Sequence, residues 1–334
     1  MTALAPHLSA YLREHLPRER AVSPHTVKTY ANCFVLLVQF AADRLKRRPT
    51  DLEVEDLDTD MIMAFLDHVE IGRVSCVRTR NGRLAAIRSF FRYIEYRIPA
   101  CLDQALRVRA IPTKKTDKAL IDYLDRAEIK ALLDTPDPRT RLGTRDRAML
   151  HLTYAGGLRV SELVTLQLRD FPDRSLSTMH IMGKGRRERV LPLWKETQIA
   201  LRAWLAIRPE AEVAEIFLNA NGQPMTRDGF AFRLAEHVKT AATKQPSILG
   251  KRVTPHVLRH SCAMHTLAAT GDIRKVALWL GHASIQSTET YLRADPEEKL
   301  QILAAHGAPA IKPGRFKPPS DALITMLTDV RRRA

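Results

Sequence analysis

Cysteine is scarce in this 334-residue chain, and its spacing suits no joint chemistry. Cys33, Cys76, Cys101 and Cys262 form no CxxC pair, and each falls in or beside a helical pattern, where cysteine behaves as a small hydrophobe. A reducing compartment is the expectation. Long apolar runs are missing too: none reaches the ~18 residues that a membrane span needs. The N-terminal stretch, with Pro6, Glu14 and Arg18, lacks a secretory signal pattern. The expected location is therefore cytoplasmic, with no membrane partner. There is no internal repeat and no low-complexity segment, and a hydrophobic content of 45% supports ordinary globular packing. Acidic residues are in deficit, 37 against 53 Lys and Arg, which leaves a net charge of +16. The excess gathers at Arg78 to Arg92, Arg107 to Lys118, Lys184 to Arg189 and Arg331 to Arg333. Such a balance favours a polyanionic partner, although charge alone fits a merely soluble basic chain as well, because it says nothing about fold or specificity.

The length accommodates two domains, each with its own core. Residues 1–108 read as helices only. Ser23-Pro24 is an N-cap followed by proline at the first helical position, after which Val27, Tyr30, Phe34, Leu37, Val38 and Ala41 keep a helical period. Thr59 precedes a second apolar-periodic segment. A third, from about Ser75 to Arg97, carries Leu84, Ile87, Phe90, Phe91 and Ile94 on one stripe and leaves Arg78, Arg80, Arg83, Arg88 and Arg92 on the other faces. By itself that pattern fits a solvated face or a phosphate-contacting one. Residues 109–119 contain Pro112, Lys114, Lys115 and Lys118 without periodicity, and read as a basic interdomain linker poorly suited to packing on protein.

A second domain, 120–305, opens on the capping box Asp125-Arg-Ala-Glu128. A helix from about Thr144 ends at Gly156-Gly157, and Ser161 starts another, so Arg159 sits at a turn between helices. His180-Ile-Met, Gly183-Lys184-Gly185 and Glu188-Arg-Val-Leu-Pro-Leu make the clearest hairpin signal. Ile216-Phe-Leu before Asn221-Gly222 suggests a third short strand, with helices at Lys195 to Ile207 and from Thr226 to about Ala242. The fold class expected is mainly α with a small antiparallel β-sheet (α+β). The tail, 306–334, is proline-rich, with Ser320 capping a short amphipathic helix of Leu323, Ile324, Leu327 and Val330.

The stretch from Thr254 to Ala294 concentrates the chemistry. Thr254 and Pro255 start a helix that sets His256 and Arg259 three apart on one face, and Gly271 ends it. A second apolar helix stops at Gly281, His282 follows at once, and Tyr291 comes nine residues later. A helix end bearing His and Arg, a loop His and a tyrosine beyond it describe an anion site with a candidate nucleophile. His256 and His260 also have the i, i+4 spacing of a zinc pair, but Val-Leu-Arg between them supplies no glutamate base and places a cation beside the metal. Gly183-Lys184-Gly185 lacks the Walker spacing and the following Ser or Thr.

His256-Val-Leu-Arg259-His260, Leu280-Gly281-His282 and Tyr291 resemble the C-terminal signature of the tyrosine recombinases, or phage-type integrases. Gly157-Leu158-Arg159-Val160-Ser161-Glu162-Leu163 resembles their first arginine motif, and Gly183-Lys184-Gly185 their hairpin lysine. The similarity spans roughly Leu124 to Leu303, with a weaker match in the N-terminal third. Two departures stand out: Gly156 replaces a frequent threonine, and the tail is extended, as in recombinases carried by bacterial mobile elements.

The resemblance implies a site-specific recombinase that cuts and rejoins duplex DNA through a 3′-phosphotyrosyl intermediate, for integration, excision or transposition. Arg159 and Arg259 would clamp the phosphate, since a guanidinium binds phosphate oxygens bidentately and stays charged. Tyr291 would attack, and because phenols ionise near pH 10 it needs a base or the field of nearby cations. His256 would help accept its proton, His282 would bond a phosphate oxygen, and Lys184 would protonate the leaving 5′ oxygen. Glu162 would orient Arg159 or His256. No cofactor and no metal are implied, because the phosphotyrosyl bond conserves the phosphodiester's energy. The N-terminal helices would form a SAM-like clamp on DNA, with Arg78, Arg80, Arg83, Lys114, Lys115 and Lys118 on phosphates. Strand exchange would use a tetramer on paired sites, together with related recombinases in some systems, and the tail would dock on a neighbouring protomer, fold back on its own domain or touch DNA. The rival readings are a type IB topoisomerase that relaxes DNA without synapsis, a catalytically silent DNA-binding regulator on the same fold, and a zinc hydrolase.

Overall fold

The structure, a computed structural model, describes residues 2–117, 120–173, 175–183, 188–282 and 284–294, together with 326, 327, 329 and 331. The chain falls into two units, Met1–Lys118 and Ala119–Ala334.

In the first unit, α1 (Leu4–Ala10) continues into a π-helical stretch, Tyr11–Glu19, and is followed by α2 (Pro24–Leu45), α3 (Thr59–Asp67), α4 (Val77–Arg97) and α5 (Leu102–Ala110). The Ser23 hydroxyl accepts the Thr26 N–H at 3.3 Å and Pro24 occupies the first turn, so α2 starts where its cap chemistry requires. The cap of α3 is Asp58, whose carboxylate accepts the Met61 N–H at 2.8 Å. Thr59, the residue singled out by sequence, lies one position inside. The apolar stripe of α4 is buried, and Phe90 meets Phe34 and Tyr11 edge-on at ring-centroid distances of 5.3 Å each.

The arginines of α4 do not all stay on free faces. Arg80 is 1% exposed, donates to the Pro112 carbonyl at 3.3 Å and lies 3.8 Å from the Glu70 carboxylate. Arg88 donates to the Ile111 carbonyl. Asn81 then brackets the linker: its Nδ2 donates to the Lys114 carbonyl at 2.8 Å and its Oδ1 accepts the Lys114 N–H at 3.1 Å. Lys114 Nζ also pairs with Glu70 at 2.8 Å. The start of the basic linker is thus packed on α4, contrary to its reading as a segment unsuited to packing. The physical reason is that buried guanidiniums need acceptors, and an irregular main chain offers unpaired carbonyls. Arg78 and Lys115 are exposed and Arg83 is half-buried, whereas Lys118 lies outside the described residues.

The second unit comprises α6 (Arg126–Leu133), α7 (Arg141–Ala155), α8 (Val160–Val164), β1 (Thr178–Met182), β2 (Glu188–Pro192), α9 (Lys195–Ile207), α10 (Arg227–Lys244), α11 (Pro255–Thr270), α12 (Ile273–Leu280) and α13 (Glu289–Ala294). The Asp125–Glu128 capping box forms in full. β1 and β2 pair antiparallel from Thr178 opposite Pro192 to Met182 opposite Glu188, and turn Met179, Ile181 and Leu191 into the core. The third strand expected at Ile216 to Leu218 does not form. These residues are buried, but their main chain pairs once with Leu166 and once with Met225, so among the described residues the sheet has two strands. A three-residue apolar run signals burial without signalling a ladder. No described helix is long and apolar enough to cross a membrane. The tail helix expected after Ser320 lies largely outside the described residues.

Candidate active site

Helix α11 carries the site. Thr254 holds its N-cap position with extended backbone, but its hydroxyl makes no cap bond; proline at the first helical position is the start signal that operates. His256, in the first turn, is exposed, whereas Arg259 is 4% exposed. The Arg259 guanidinium donates to the Leu280 carbonyl at 2.7 Å and to the Gly157 carbonyl. One side chain therefore ties α11 to the loop before α8 and to the end of α12. Both attachment points turn at glycines with positive φ, Gly157 at 53° and Gly281 at 62°. A Cβ on Gly157 would stand 2.5 Å from Leu280 Cδ2, so the close approach of these two segments requires glycine there. Burial and the neighbouring Arg159 charge pull Arg259 down to about 10, which leaves it a cation at neutral pH.

Arg159 is the N-cap residue of α8, and Glu162 reaches back to it in two ways. The carboxylate accepts the Arg159 backbone N–H at 3.0 Å and its guanidinium at 2.7 Å. The same carboxylate takes a second fork from Arg189 on β2, at 2.8 and 3.3 Å. Burial would raise the Glu162 carboxyl, but the Arg189 and Arg159 contacts outweigh it and hold it below the usual range. Sequence reasoning gave Glu162 either Arg159 or His256 to orient; the structure pairs it with Arg159. It missed Arg189, which also packs within 3.0 Å of where a Cβ on Gly281 would lie. The only sequence signal for it was membership of the basic run after Lys184.

His282 follows Gly281, and its Nδ1 lies 2.7 Å from the Thr288 hydroxyl. Burial, then the charges of Arg259, Arg159 and Arg189, lower it to about 4, so it is a neutral imidazole among cations. Tyr291 on α13 is 2% exposed, and its ring lies nearly parallel to that of His282 at a centroid distance of 6.4 Å. Burial raises its phenol to about 12, against the lowering field of Arg259 and Arg159. The side chain bonded to its hydroxyl is His260, with Nδ1 3.1 Å away. His256 instead lies ring over ring with His260 at 6.4 Å.

The structure thus gathers Arg159, Arg259, His282 and Tyr291 around one another, with His256 at the exposed rim, and adds Glu162, Arg189 and His260. Lys184 lies outside the described residues. Among the described residues no group of three or more His, Cys, Asp or Glu is placed to hold a metal ion.

Comparison with known proteins bears on this arrangement. Residues 122–298 match the Phage integrase family, and residues 8–97 match the Phage integrase, N-terminal SAM-like domain. The chain belongs to the phage integrase family. The y4rC protein of Sinorhizobium fredii, named provisionally as an integrase/recombinase, is 39% identical over 98% of both chains. The tyrosine recombinase XerC of Myxococcus xanthus is 35% identical over 90% of this chain and 97% of its own length. Among solved structures, the Tn1549 transposon integrase in complex with transposon right end DNA aligns with a TM-score of 0.65 at 18% identity, over 91% of this chain and all of that one. XerH bound to a palindromic difH substrate aligns with a TM-score of 0.63 at 21% identity, over 89% and 85%. At such identities these structures show the fold: a SAM-like helical unit and a mostly helical catalytic unit with a small antiparallel sheet. Membership makes the chain a tyrosine recombinase, an enzyme of site-specific DNA cleavage and rejoining.

Proposed function

We propose that Arg159 and Arg259 clamp the scissile phosphate of duplex DNA while Tyr291 attacks it, forming a 3′-phosphotyrosyl bond and releasing a 5′-hydroxyl. The observation that carries this reading is the double anchoring of Arg259. By holding the Gly157 loop and the Leu280–Gly281–His282 turn at once, it fixes Arg159 and His282 relative to the helix that faces Tyr291. Among the described residues its remaining N–H groups are left for phosphate oxygens, and oriented cations in a buried setting stabilise the charge that develops on pentacoordinate phosphorus. His282 donates to a phosphate oxygen, and His256 at the rim accepts the tyrosine proton directly or through water. Lys184 supplies the leaving-group proton.

The two units divide the work. The first, with Arg78 and Lys115 exposed and Arg83 half-buried, is the DNA clamp, and phosphate contacts supply most of its affinity. Arg80 and Lys114 act there as structural residues. The enzyme works in the cytoplasm as a tetramer on paired sites, on DNA of mobile-element type. The DNA complexes of XerH and of the Tn1549 integrase support duplex DNA as the partner, and relatives named as recombinases favour recombination over topoisomerase-style relaxation. The test is covalent capture on a nicked suicide substrate in the presence of EDTA, followed by peptide mapping. An adduct on the Tyr291 peptide is expected. An adduct elsewhere, or one that needs a divalent cation, overturns the assignment, and plasmid relaxation without a paired site would favour the topoisomerase reading.

A further inference from the structure

His260 is the residue after Arg259, one helical turn beyond His256, and neither the phosphate clamp nor the proton steps above use it. Its placement is nonetheless specific. Tyr291 is buried, and among the described residues the hydrogen-bond partner of its hydroxyl is His260 Nδ1, at 3.1 Å. The two rings meet edge to face at 5.7 Å, across the contact between α11 and α13. A phenol has one proton to donate and two lone pairs, and a buried O–H without an acceptor is the more costly omission. The hydroxyl therefore donates to Nδ1, and the imidazole carries its proton on Nε2.

We propose that His260 is a positioning residue for Tyr291: by accepting a hydrogen bond from the phenolic O–H at Nδ1 it fixes the direction of the Oη lone pairs before attack. This rests on Tyr291 being the nucleophile. The acceptor role requires a neutral ring. Burial, then the His256 and Arg259 charges, lower His260 to about 4, against an opposing pull from Asp122, so the ring is neutral at working pH and one of its two nitrogens is an acceptor. The same numbers rule the pair out as a resting ion pair, because the phenol, raised to about 12 by burial, holds its proton far more tightly than the imidazole. His260 thus orders the nucleophile without ionising it, which separates its role from that of the exposed His256.

The experiment compares His260→Leu, His260→Asn and Tyr291→Phe with wild type, in single-turnover cleavage of a nicked suicide substrate and in DNA binding. Leucine keeps an apolar side chain but no acceptor, whereas the asparagine oxygen can stand near the place of Nδ1. His260→Leu is expected to slow cleavage at least tenfold with binding unchanged, and His260→Asn to recover much of the rate. Nitrogen-15 NMR of histidine-labelled full-length protein supplies a reading independent of variant folding: Tyr291→Phe should move the His260 Nδ1 resonance and leave that of His256 in place. Wild-type cleavage by His260→Leu, equal losses in Leu and Asn, or an unmoved Nδ1 resonance would overturn the proposal. A covalent adduct formed by Tyr291→Phe would instead overturn the nucleophile assignment on which it rests.

Discussion

The two units are held together by different physics. The first builds its centre from rings: Tyr11, Phe34, Phe90 and Tyr93 pack at centroid distances of 5.3 to 6.2 Å, beside the aliphatic stripes of α2, α3 and α4. The second also has an apolar core, but threads it with buried charge. Asp146 takes bonds from Arg145, Arg233 and His237, Glu128 takes Lys251 and Ser247, and Glu162 takes Arg159 and Arg189. Buried ion pairs contribute little net stability compared with apolar side chains of the same volume, because desolvation offsets most of the attraction. Their concentration in one unit therefore marks a requirement other than stability. Around Glu162 that requirement is the fixed orientation of Arg159. The aromatic unit should answer substitution through stability, and the charged network around Tyr291 through chemistry.

The largest effect expected on the chemical side is that of Arg259→Ala. Loss of a charge-stabilising donor should slow covalent capture by at least two orders of magnitude. Near-normal cleavage would remove Arg259 from the clamp and erase the contrast. On the other side, Phe90→Ala in the aromatic core should lower unfolding stability by about 3 to 5 kcal/mol, measured by denaturant titration. The folded fraction should cleave at the wild-type rate once bound to DNA. A smaller chemical effect is expected of Arg189→Ala, which leaves Arg159 and Glu162 in place but frees the carboxylate to move. Cleavage should fall about 10-fold to 100-fold, the scale of a misplaced catalytic group. A change confined to stability would make Arg189 a structural brace.

A pH dependence is also expected, and it belongs to the second unit. His151, His260 and His282 are lowered to about 4, chiefly by burial, from an ordinary value near 6.5. Above pH 6.5 these rings are neutral whether the chain is folded or not. As pH falls from 6.5 toward 4 the unfolded chain takes up protons that the folded unit refuses, so stability is lost across that window. Below pH 4.5 protonation of Glu162, held low when folded, adds a second loss. Trp194, Trp204 and Trp279 all lie in the second unit, so their fluorescence follows it selectively during thermal unfolding. A tryptophan-reported midpoint that is flat from pH 6.5 to 4 would contradict the burial of these imidazoles.

Where local chemistry decides, the sequence was legible. Pro24 and Pro255 at first turns, Gly271 and Gly281 at helix ends, the Asp125–Glu128 box and the bounds of α9 follow from capping and periodicity, which act over a few residues. Arg159, Arg259, His282 and Tyr291 were likewise found through short motifs, and they converge. What stayed hidden depends on partners far along the chain. The burial of Arg80 depends on the carbonyl of Pro112, and the role of Arg189 on Glu162, 27 residues away. The contact of His260 with Tyr291 spans 31 residues. Ile216 to Leu218 read as a strand because buried loops and buried strands share the same apolar composition.

The most direct test of the account is Tyr291→Phe, which removes one oxygen atom from a buried ring. Full-length wild-type and variant protein would be incubated with a nicked suicide substrate, with affinity measured by gel shift and covalent product by denaturing electrophoresis. The expected result is near-wild-type binding with no SDS-resistant adduct, because Arg159 and Arg259 still hold the phosphate while nothing attacks it. An SDS-resistant adduct formed by the variant would show that the nucleophile lies elsewhere and that the charge gathered around Tyr291 serves the fold.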